Sequence, residues 1–501
     1  MRVHAFSALT IVLSFLAIFN PPAFADDVLY PVEMILTTTS DWTDVRFIGC
    51  TLVVQSYEIQ EGSQAPGLQV AADSALSIGK NSFDPTQVVV RITAYLANAA
   101  DTWIRVAIDK GHIGSTNISI LATGSQSIAS FTHTGVANNT SSENTRTFDL
   151  RTSEIASRVA VQILDTPSEA SIGGQKVLAF YYPWYGTPGG PSGEWVHWTP
   201  SQSNYAATHI PTAGYYDSLD TETIRRHIRE AKSADIDGFV ASWWGVHSFE
   251  DRAFALLLQI AEEEGFLVAP YYEAAQSPLQ MVTDIGFILS RYGSSPAFLR
   301  VSGSPVVFFY VRVIGQFSLS QWGSTLALLD ERGHGIFAIA DSLQPQYLSV
   351  FQGLHTYNPV GMSSEEVAEQ YASASLAARI HGGLFAATVL PGYQEAAFRA
   401  SSPVADRANG ETYHSYWDIA RDSTPHWILI TSFNEWHEGS EIEPSVEFGT
   451  SYLVQTEEEA SVWRSGGPVE ESTVSDRDSD GVPDNVDYCP DWPGSAAANG
   501  C

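Results

Sequence analysis

The segment Trp427-Ile-Leu-Ile-Thr-Ser-Phe433-Asn434-Glu435-Trp436-His437-Glu438-Gly439-Ser440 runs an apolar strand straight into two carboxylates three residues apart. An amide, an indole, an imidazole and a glycine surround them. A strand that ends in acids and aromatic rings has the make-up of an active-site mouth, whereas one passing through a core would stay apolar. Paired carboxylates beside flat apolar faces suit sugar chemistry, in which rings stack on pyranoses and acids carry protons.

Seven runs of the same character lie upstream: Val177–Tyr182, Gly238–Trp243, Leu267–Tyr272, Pro305–Val311, Ile336–Asp341, Gly353–Tyr357 and Leu384–Leu390. Helix-period stretches fill most of the intervals, the clearest being Thr221–Ala234, Asp251–Glu264, Leu279–Arg291 and Ser363–His381. With Trp427–Phe433 this makes eight alternations across 176–464. That count and size predict an α/β fold, a (β/α)8 TIM barrel, whose chemistry sits at the C-terminal ends of the strands.

Those ends are unusual. They read Tyr181-Tyr182-Pro-Trp184-Tyr185, Ser242-Trp243-Trp244-Gly245, Tyr271-Tyr272-Glu273, Tyr310-Val311-Arg312, Asp341-Ser342, Tyr357-Asn358, Pro391-Gly392-Tyr393 and the Asn434–Glu438 block. Nearly all are aromatic or ionisable, as a cleft built from separate strand ends requires.

Glycosidic cleavage needs a proton donor for the leaving oxygen and a second group that assists attack. Glu435 and Glu438 can both face a sugar if the chain turns sharply after the strand, a turn that Gly439 favours. Mutual repulsion and burial would raise one of the two, leaving one acid protonated and the other ionised. His437 beside them raises the question of zinc, but neither His-Glu-x-x-His nor paired His at helical spacing occurs, and His197, His227, His247 and His355 are scattered. A Gly-x-Ser-x-Gly elbow before a helix is also missing.

The rest of the chain bounds the setting. Met1-Arg2, an apolar run from Ala5 to Phe19 and Ala23-Phe24-Ala25 before Asp26 read as a signal peptide over 1–25, so a secreted, periplasmic or cell-surface protein is expected. No later segment is long and apolar enough for a membrane span. The net charge of -32, from 57 acids against 25 bases, repels polyphosphate and argues against a nucleic-acid partner. Oligomeric state is not legible. Short Val-, Ile- and Thr-rich runs (Arg46–Val54, Gln87–Leu96, Thr102–Ile108 and Ile118–Ala122) predict a β-sandwich accessory domain over 26–169, with Ser168–Lys176 as a linker. Cys50, in an apolar run, reads as a buried thiol.

In the tail, 470–501, the acids Asp476, Asp478, Asp480, Asp484 and Asp487 alternate around Gly481 and offer oxygen ligands to Ca²⁺. The spacing is not that of an EF-hand, because the closing Glu is absent. It resembles a thrombospondin type 3 repeat, whose acids bind calcium, and Cys489 and Cys501 are close enough in sequence to pair. An acidic tail without fixed structure is the alternative.

Phe180-Tyr-Tyr-Pro-Trp-Tyr-Gly186, Glu194-Trp-Val-His197-Trp198, Tyr216-Asp217-Ser218, Ser242-Trp243-Trp244-Gly245, Pro391-Gly392-Tyr393 and Phe433-Asn-Glu435-Trp-His-Glu438-Gly-Ser-Glu-Ile-Glu443-Pro444 together resemble glycoside hydrolase family 99, from about Lys176 to Trp463. That family holds endo-acting α-mannosidases and α-mannanases. The resemblance implies a (β/α)8 barrel, a polysaccharide or oligosaccharide substrate, no cofactor for catalysis, and retention of configuration through a 1,2-anhydro sugar.

Carried over, Glu435 is the base toward the sugar 2-hydroxyl and Glu438 the acid, then base, at the leaving oxygen. Glu273 matches a substrate-binding carboxylate. Tyr182, Tyr310 and Tyr357 are placed against the sugar at the cleavage point, and Trp244 against a more distal ring. His197 and Trp198 frame the cleft, with Tyr393, Asn434 and Trp436 lining it. Arg312 is expected to pair with a mouth carboxylate, and Glu441 and Glu443 to hold loop structure. After Tyr393 the sequence Gln394-Glu395-Ala-Ala-Phe-Arg399 departs from the family pattern. It leaves open another α-linked polysaccharide, an α-glucan or a marine glycan, and a non-catalytic carbohydrate-binding barrel is the rival from another class.

Overall fold

The computed structural model describes residues 28–465 except 40–41, 49, 62–68, 72–74, 80–87, 99–102, 111–114, 123–125, 135–144, 152–154, 156–161, 164–173, 199–206 and 396–401. The signal-peptide reading, the five tail aspartates, Cys489 and Cys501 lie outside the described residues.

Two antiparallel sheets share a core in the N-terminal part. One runs Thr51–Glu61, Val88–Asn98, Val28–Thr38, Ser115–Ala122, Gln126–Thr134, with Gln162–Ile163 added to Val28–Thr38. The other runs Thr145–Arg151, Trp103–Lys110, Trp42–Ile48, Ala75–Gly79, Gln69–Ala71. The run expected as one strand over Arg46–Val54 is two strands in different sheets. Val45 and Phe47 enter the common core from one side, Leu52 and Val54 from the other. Cys50 lies at that crossing and packs against the core.

The C-terminal part is a closed barrel of eight parallel strands: β1 (Lys176–Tyr181), β2 (Gly238–Trp243), β3 (Leu267–Tyr272), β4 (Ser304–Phe309), β5 (Phe337–Asp341), β6 (Gly353–His355), β7 (Leu384–Val389) and β8 (Trp427–Ile430). β8 closes on β1 from Lys176↔Trp427 to Ala179↔Ile430. The β3–β4 seam is narrow, two residue pairs wide at Tyr271↔Phe308 and Tyr272↔Phe309. Both faces are apolar, as a sheet wrapped by helices demands. Leu178, Phe180, Trp427 and Leu429 fill the interior cluster, while Val177, Ala179, Ile428 and Ile430 join the cluster shared with the helices.

The expected helices form, as Thr221–Ser233, Phe249–Glu264, Pro278–Tyr292 and Ser364–His381. Their starts are chemical: Asp220 accepts from the Glu222 and Thr223 amides, and Ser363 forms a capping box with Glu366. Leu319–Glu331, Glu411–Asp422 and Ser451–Ser465 complete the layer. The sequence reading overshoots five strands, at Tyr182, Val311, Tyr357, Leu390 and Phe433. The residues beyond each ladder turn away at the C-terminal end of the barrel, Val311 into a short helix, Val311–Ile314.

At Gly238 the backbone passes so close to β3 that an added Cβ would stand 2.6 Å from the Leu267 carbonyl oxygen and 2.8 Å from its Cβ. Neither strand can retreat without breaking the β2–β3 ladder. Gly238→Ala is therefore expected to destabilise the barrel by about 1–3 kcal/mol, as overpacked cores do; an unchanged thermal unfolding midpoint would contradict this account.

Candidate active site

The loop after β8 is pinned at its neck. The Ser432 amide donates to the Ser440 carbonyl at 2.8 Å, the Ile442 amide to the Ser432 carbonyl at 2.9 Å, and the two serine hydroxyls lie 3.0 Å apart. Phe433 carries the ladder one step further, its amide donating to the Phe180 carbonyl at 2.8 Å. Gly439 turns the chain at φ 57°, in the left-handed region that glycine favours.

Asn434, expected to line the cleft, is fully buried and does something else. Its Oδ1 accepts from the Tyr182 amide at 2.7 Å, and its Nδ2 donates to the Tyr182 carbonyl at 3.2 Å and the Tyr216 hydroxyl at 3.1 Å. The side-chain amide thus acts as one more peptide between the ends of β8 and β1. Trp436 is likewise fully buried, its indole donating to Glu443 Oε2 and the Tyr216 hydroxyl, both at 3.1 Å. Trp198 stacks on Tyr185 at 4.0 Å and donates to the Tyr216 carbonyl at 2.7 Å. These three residues support the site from behind instead of lining it, because their polar atoms are consumed by buried partners.

Glu435 and Glu438 emerge in front of this scaffold with different neighbours. Glu435 Oε1 accepts from the His437 amide at 3.1 Å and lies 2.8 Å from His437 Nδ1. His437 Nε2 lies 3.2 Å from the His197 carbonyl, which can only accept. A histidine whose two ring nitrogens both face acceptors is protonated. Burial opposes that charge, but the Glu435 carboxylate outweighs it and raises His437 above its usual value. Glu435 thus faces a ring whose protonated form is favoured by that contact.

Among the described residues no cation pairs with Glu438. Tyr357 donates to its Oε2 at 2.7 Å, and Tyr393 hydrogen-bonds it too. Burial first, then the charges of Glu435 and Glu395, push it up to about 8. Near neutrality one carboxyl is ionised and its neighbour protonated, the division of labour that acid–base chemistry requires.

The other strand ends converge as expected. Glu273, nearly buried, is pushed up to about 8, by burial first and also by Glu435 and Glu438. Tyr182 stands well above a tyrosine's usual range for the same reasons, with Glu273, Glu438 and Glu435 all acting on it. Tyr310 packs edge-on to Tyr357 and Tyr271. His197 stacks on Trp184 at 4.3 Å. Trp244 and Glu273 border a cavity of about 450 Å³. Arg312 lies over the rings of Tyr310 and Trp244, at 5.1 and 5.9 Å, and makes no ion pair with any described carboxylate, contrary to the pairing expected for it. Glu441 and Glu443 are structural as expected: Glu441 meets Arg407 at 2.9 Å and His209 at 2.7 Å, Glu443 meets His227 at 2.8 Å.

Four further residues take roles that the sequence motifs alone do not reveal. His437 is a charge partner and not a metal ligand, and its position between the two acids is the sequence signal for it. Trp184 walls the site by packing on Tyr182 at 4.6 Å and His197. Asp341 accepts from the Tyr271 hydroxyl at 2.8 Å and from the Tyr357 and Val311 amides at 3.0 and 3.1 Å, so one buried carboxylate orients three strand ends. Glu395 adds a third charge beside Glu438. Among the described residues one potential metal-ligand group occurs, His227, Glu230 and Glu443. It is a charge network that already includes Arg226, 3.4 Å from Glu443 and 3.7 Å from Glu230.

A sequence profile of glycosyl hydrolase family 99 matches residues 174–457, the whole barrel with its eighth-strand loop. The chain belongs to that family. Among curated relatives it is 27% identical over 330 residues to a glycoprotein endo-α-1,2-mannosidase of Mus musculus, covering 55% of this chain and 69% of that one. It is 26% identical over 326 residues to a Homo sapiens glycoprotein endo-α-1,2-mannosidase-like protein, covering 54% and 68%. Among solved structures, the family 99 endo-α-mannosidase of Bacteroides thetaiotaomicron superposes with a TM-score of 0.53 at 28% identity, covering 60% of this chain and 99% of that one. As a family 99 member the protein is a glycoside hydrolase.

The neighbours of Glu438 set its protonation with opposite signs. Tyr357 donates to the ionised form and holds the value down; Glu395 repels it and holds the value up. Activity that needs protonated Glu438 should fall as pH rises through about 8. Tyr357→Phe is expected to move that alkaline limb to higher pH and Glu395→Gln to lower pH, each by about half a pH unit or more, read from the pH dependence of kcat/KM. Movement of both in one direction would refute the assignment.

Proposed function

We propose that this protein is an exported, retaining, endo-acting α-mannosidase that cleaves within a mannan or mannose-containing glycan through a 1,2-anhydro sugar. The observation that carries the reading is the contrast between the two acids: Glu435 ion-paired with His437, and Glu438 kept protonated by burial and by Glu435's own charge. The activities named for the relatives support mannose, and the signal-like N-terminus supports export.

In this mechanism Glu435 removes the proton of the 2-hydroxyl as that oxygen attacks C1. The bond from C1 to the leaving oxygen breaks, and Glu438 delivers its proton to that oxygen. Glu438, now a carboxylate, takes a proton from water, which attacks C1 and opens the three-membered ring, while O2 recovers its proton from Glu435. Two inversions at C1 give retention. Both steps need an ionised base and a protonated acid within one site, and the His437 cation and the apolar wall around Glu438 separate the two states before substrate arrives. Tyr357, itself held by Asp341, aims Glu438; Asn434 fixes Tyr182 at the rim. No step calls for a metal or organic cofactor. Ca²⁺, if bound by the tail aspartates, belongs to that segment.

Glu435→Gln and Glu438→Gln are each expected to lower kcat on α-mannan by about 10²–10⁴, assayed as new reducing ends. A substrate with an activated leaving group should restore the first step in Glu438→Gln, which no longer needs to donate a proton, and not in Glu435→Gln. Wild-type rates in either variant would overturn the mechanism, and glycan binding without cleavage by the intact protein would favour a binding barrel.

A further inference from the structure

We propose that the cavity bordered by Trp244, Glu273 and Arg312 receives a glycan residue bearing an anionic ester, a sulfate or phosphate, and that Arg312 recognises it. The proposal rests on the glycosidase reading above and goes beyond it by assigning a charge to the substrate.

The cavity measures about 450 Å³, within the roughly 300–1,000 Å³ of small-molecule sites. Glu273 links it to the acid pair, because it lines the cavity and is acted on electrostatically by Glu435 and Glu438. Gln276, Gln280 and Gln316 supply neutral amides suited to sugar hydroxyls, and Trp244 an aromatic face.

Arg312 is the odd member of this lining. It is the one basic side chain in the cavity wall, and no described carboxylate forms an ion pair with it. Neither acid of the lining forms an ion pair with it. Asp284 has one oxygen taken by the Tyr272 hydroxyl at 2.7 Å and the other by Gln280 Nε2 at 2.7 Å. Glu273 feels the Arg312 charge, which lowers it, yet burial still holds it up to about 8. The guanidinium is meanwhile kept in place over Tyr310 and Trp244. A planar, exposed and pre-positioned fork of donors fits two oxygens of a sulfate or phosphate, and a neutral sugar gives it no comparable partner. The overall negative field would repel such a ligand at long range, so recognition depends on this one local cation.

The test uses full-length protein carrying Glu438→Gln to prevent turnover, titrated with oligosaccharides of α-mannan and of α-glucan, each neutral, sulfated and phosphorylated. Charged members of one sugar series should bind about 10- to 100-fold tighter than their neutral counterpart, and the preference should shrink with added salt. The sulfated and phosphorylated arms decide which ester is meant. Arg312→Met should abolish the charged-to-neutral ratio, and Arg312→Lys should keep part of it through charge alone. No charge preference in the parent protein, or a preference that survives in Arg312→Met, overturns the proposal. Charge preference confined to glucan would sink the mannose reading and leave Arg312's role standing. Mannan binding indifferent to charge would do the reverse.

Discussion

The site depends on one side-chain amide. Asn434 reproduces the hydrogen-bonding pattern of a peptide group, accepting from and donating to the backbone of Tyr182, and so extends the β8–β1 seam past the last ladder bond. The Tyr185 hydroxyl donates to the Asn434 carbonyl at 3.1 Å and accepts from the Trp436 amide at 3.2 Å. Glu435 leaves the chain between those two residues. Its direction is therefore dictated by bonds that are themselves buried and satisfied, the arrangement that makes a polar network rigid.

Behind that clamp, the wall of aromatic rings does electrostatic work. Burial disfavours charge, so every carboxyl at the mouth must be paired or remain protonated. Glu435 is paired with His437, Asp341 is satisfied by three donors, and Glu438 and Glu273 are pushed up to about 8. Identical side chains thus take different states according to whether a cation or a tyrosine faces them. The packing that stabilises the barrel and the chemistry at its mouth have the same physical source.

Much of this was legible in the order of residues. Strands buried on both faces read as short continuous apolar runs, which is why β2 and β3 were found to the residue. Strand ends rich in Tyr, Trp and acids mark the rim at which Glu435 and Glu438 stand. The sandwich was less readable: Arg46–Val54 looked continuous because the pattern does not record a change of sheet. Among the site residues, Trp198, Asn434 and Trp436 looked like cleft lining because an indole or an amide in a motif carries no mark of which way it faces. Arg312 looked like an ion-pair partner, and its position over two rings depends on where the ends of β2 and β4 meet.

The sequence by itself determined the barrel, the sandwich class, the acid pair and the family likeness, because periodicity and motif spacing are local properties of the chain. Only the tertiary structure decided which acid carries the proton, which aromatic rings face the cleft and that Arg312 lies over two rings and not against a carboxylate. Those depend on distances between residues far apart in sequence: His437 to the His197 carbonyl, Tyr357 to Glu438, Asn434 to Tyr182. Protonation and exposure are set by neighbours in space, and the fold alone chooses them.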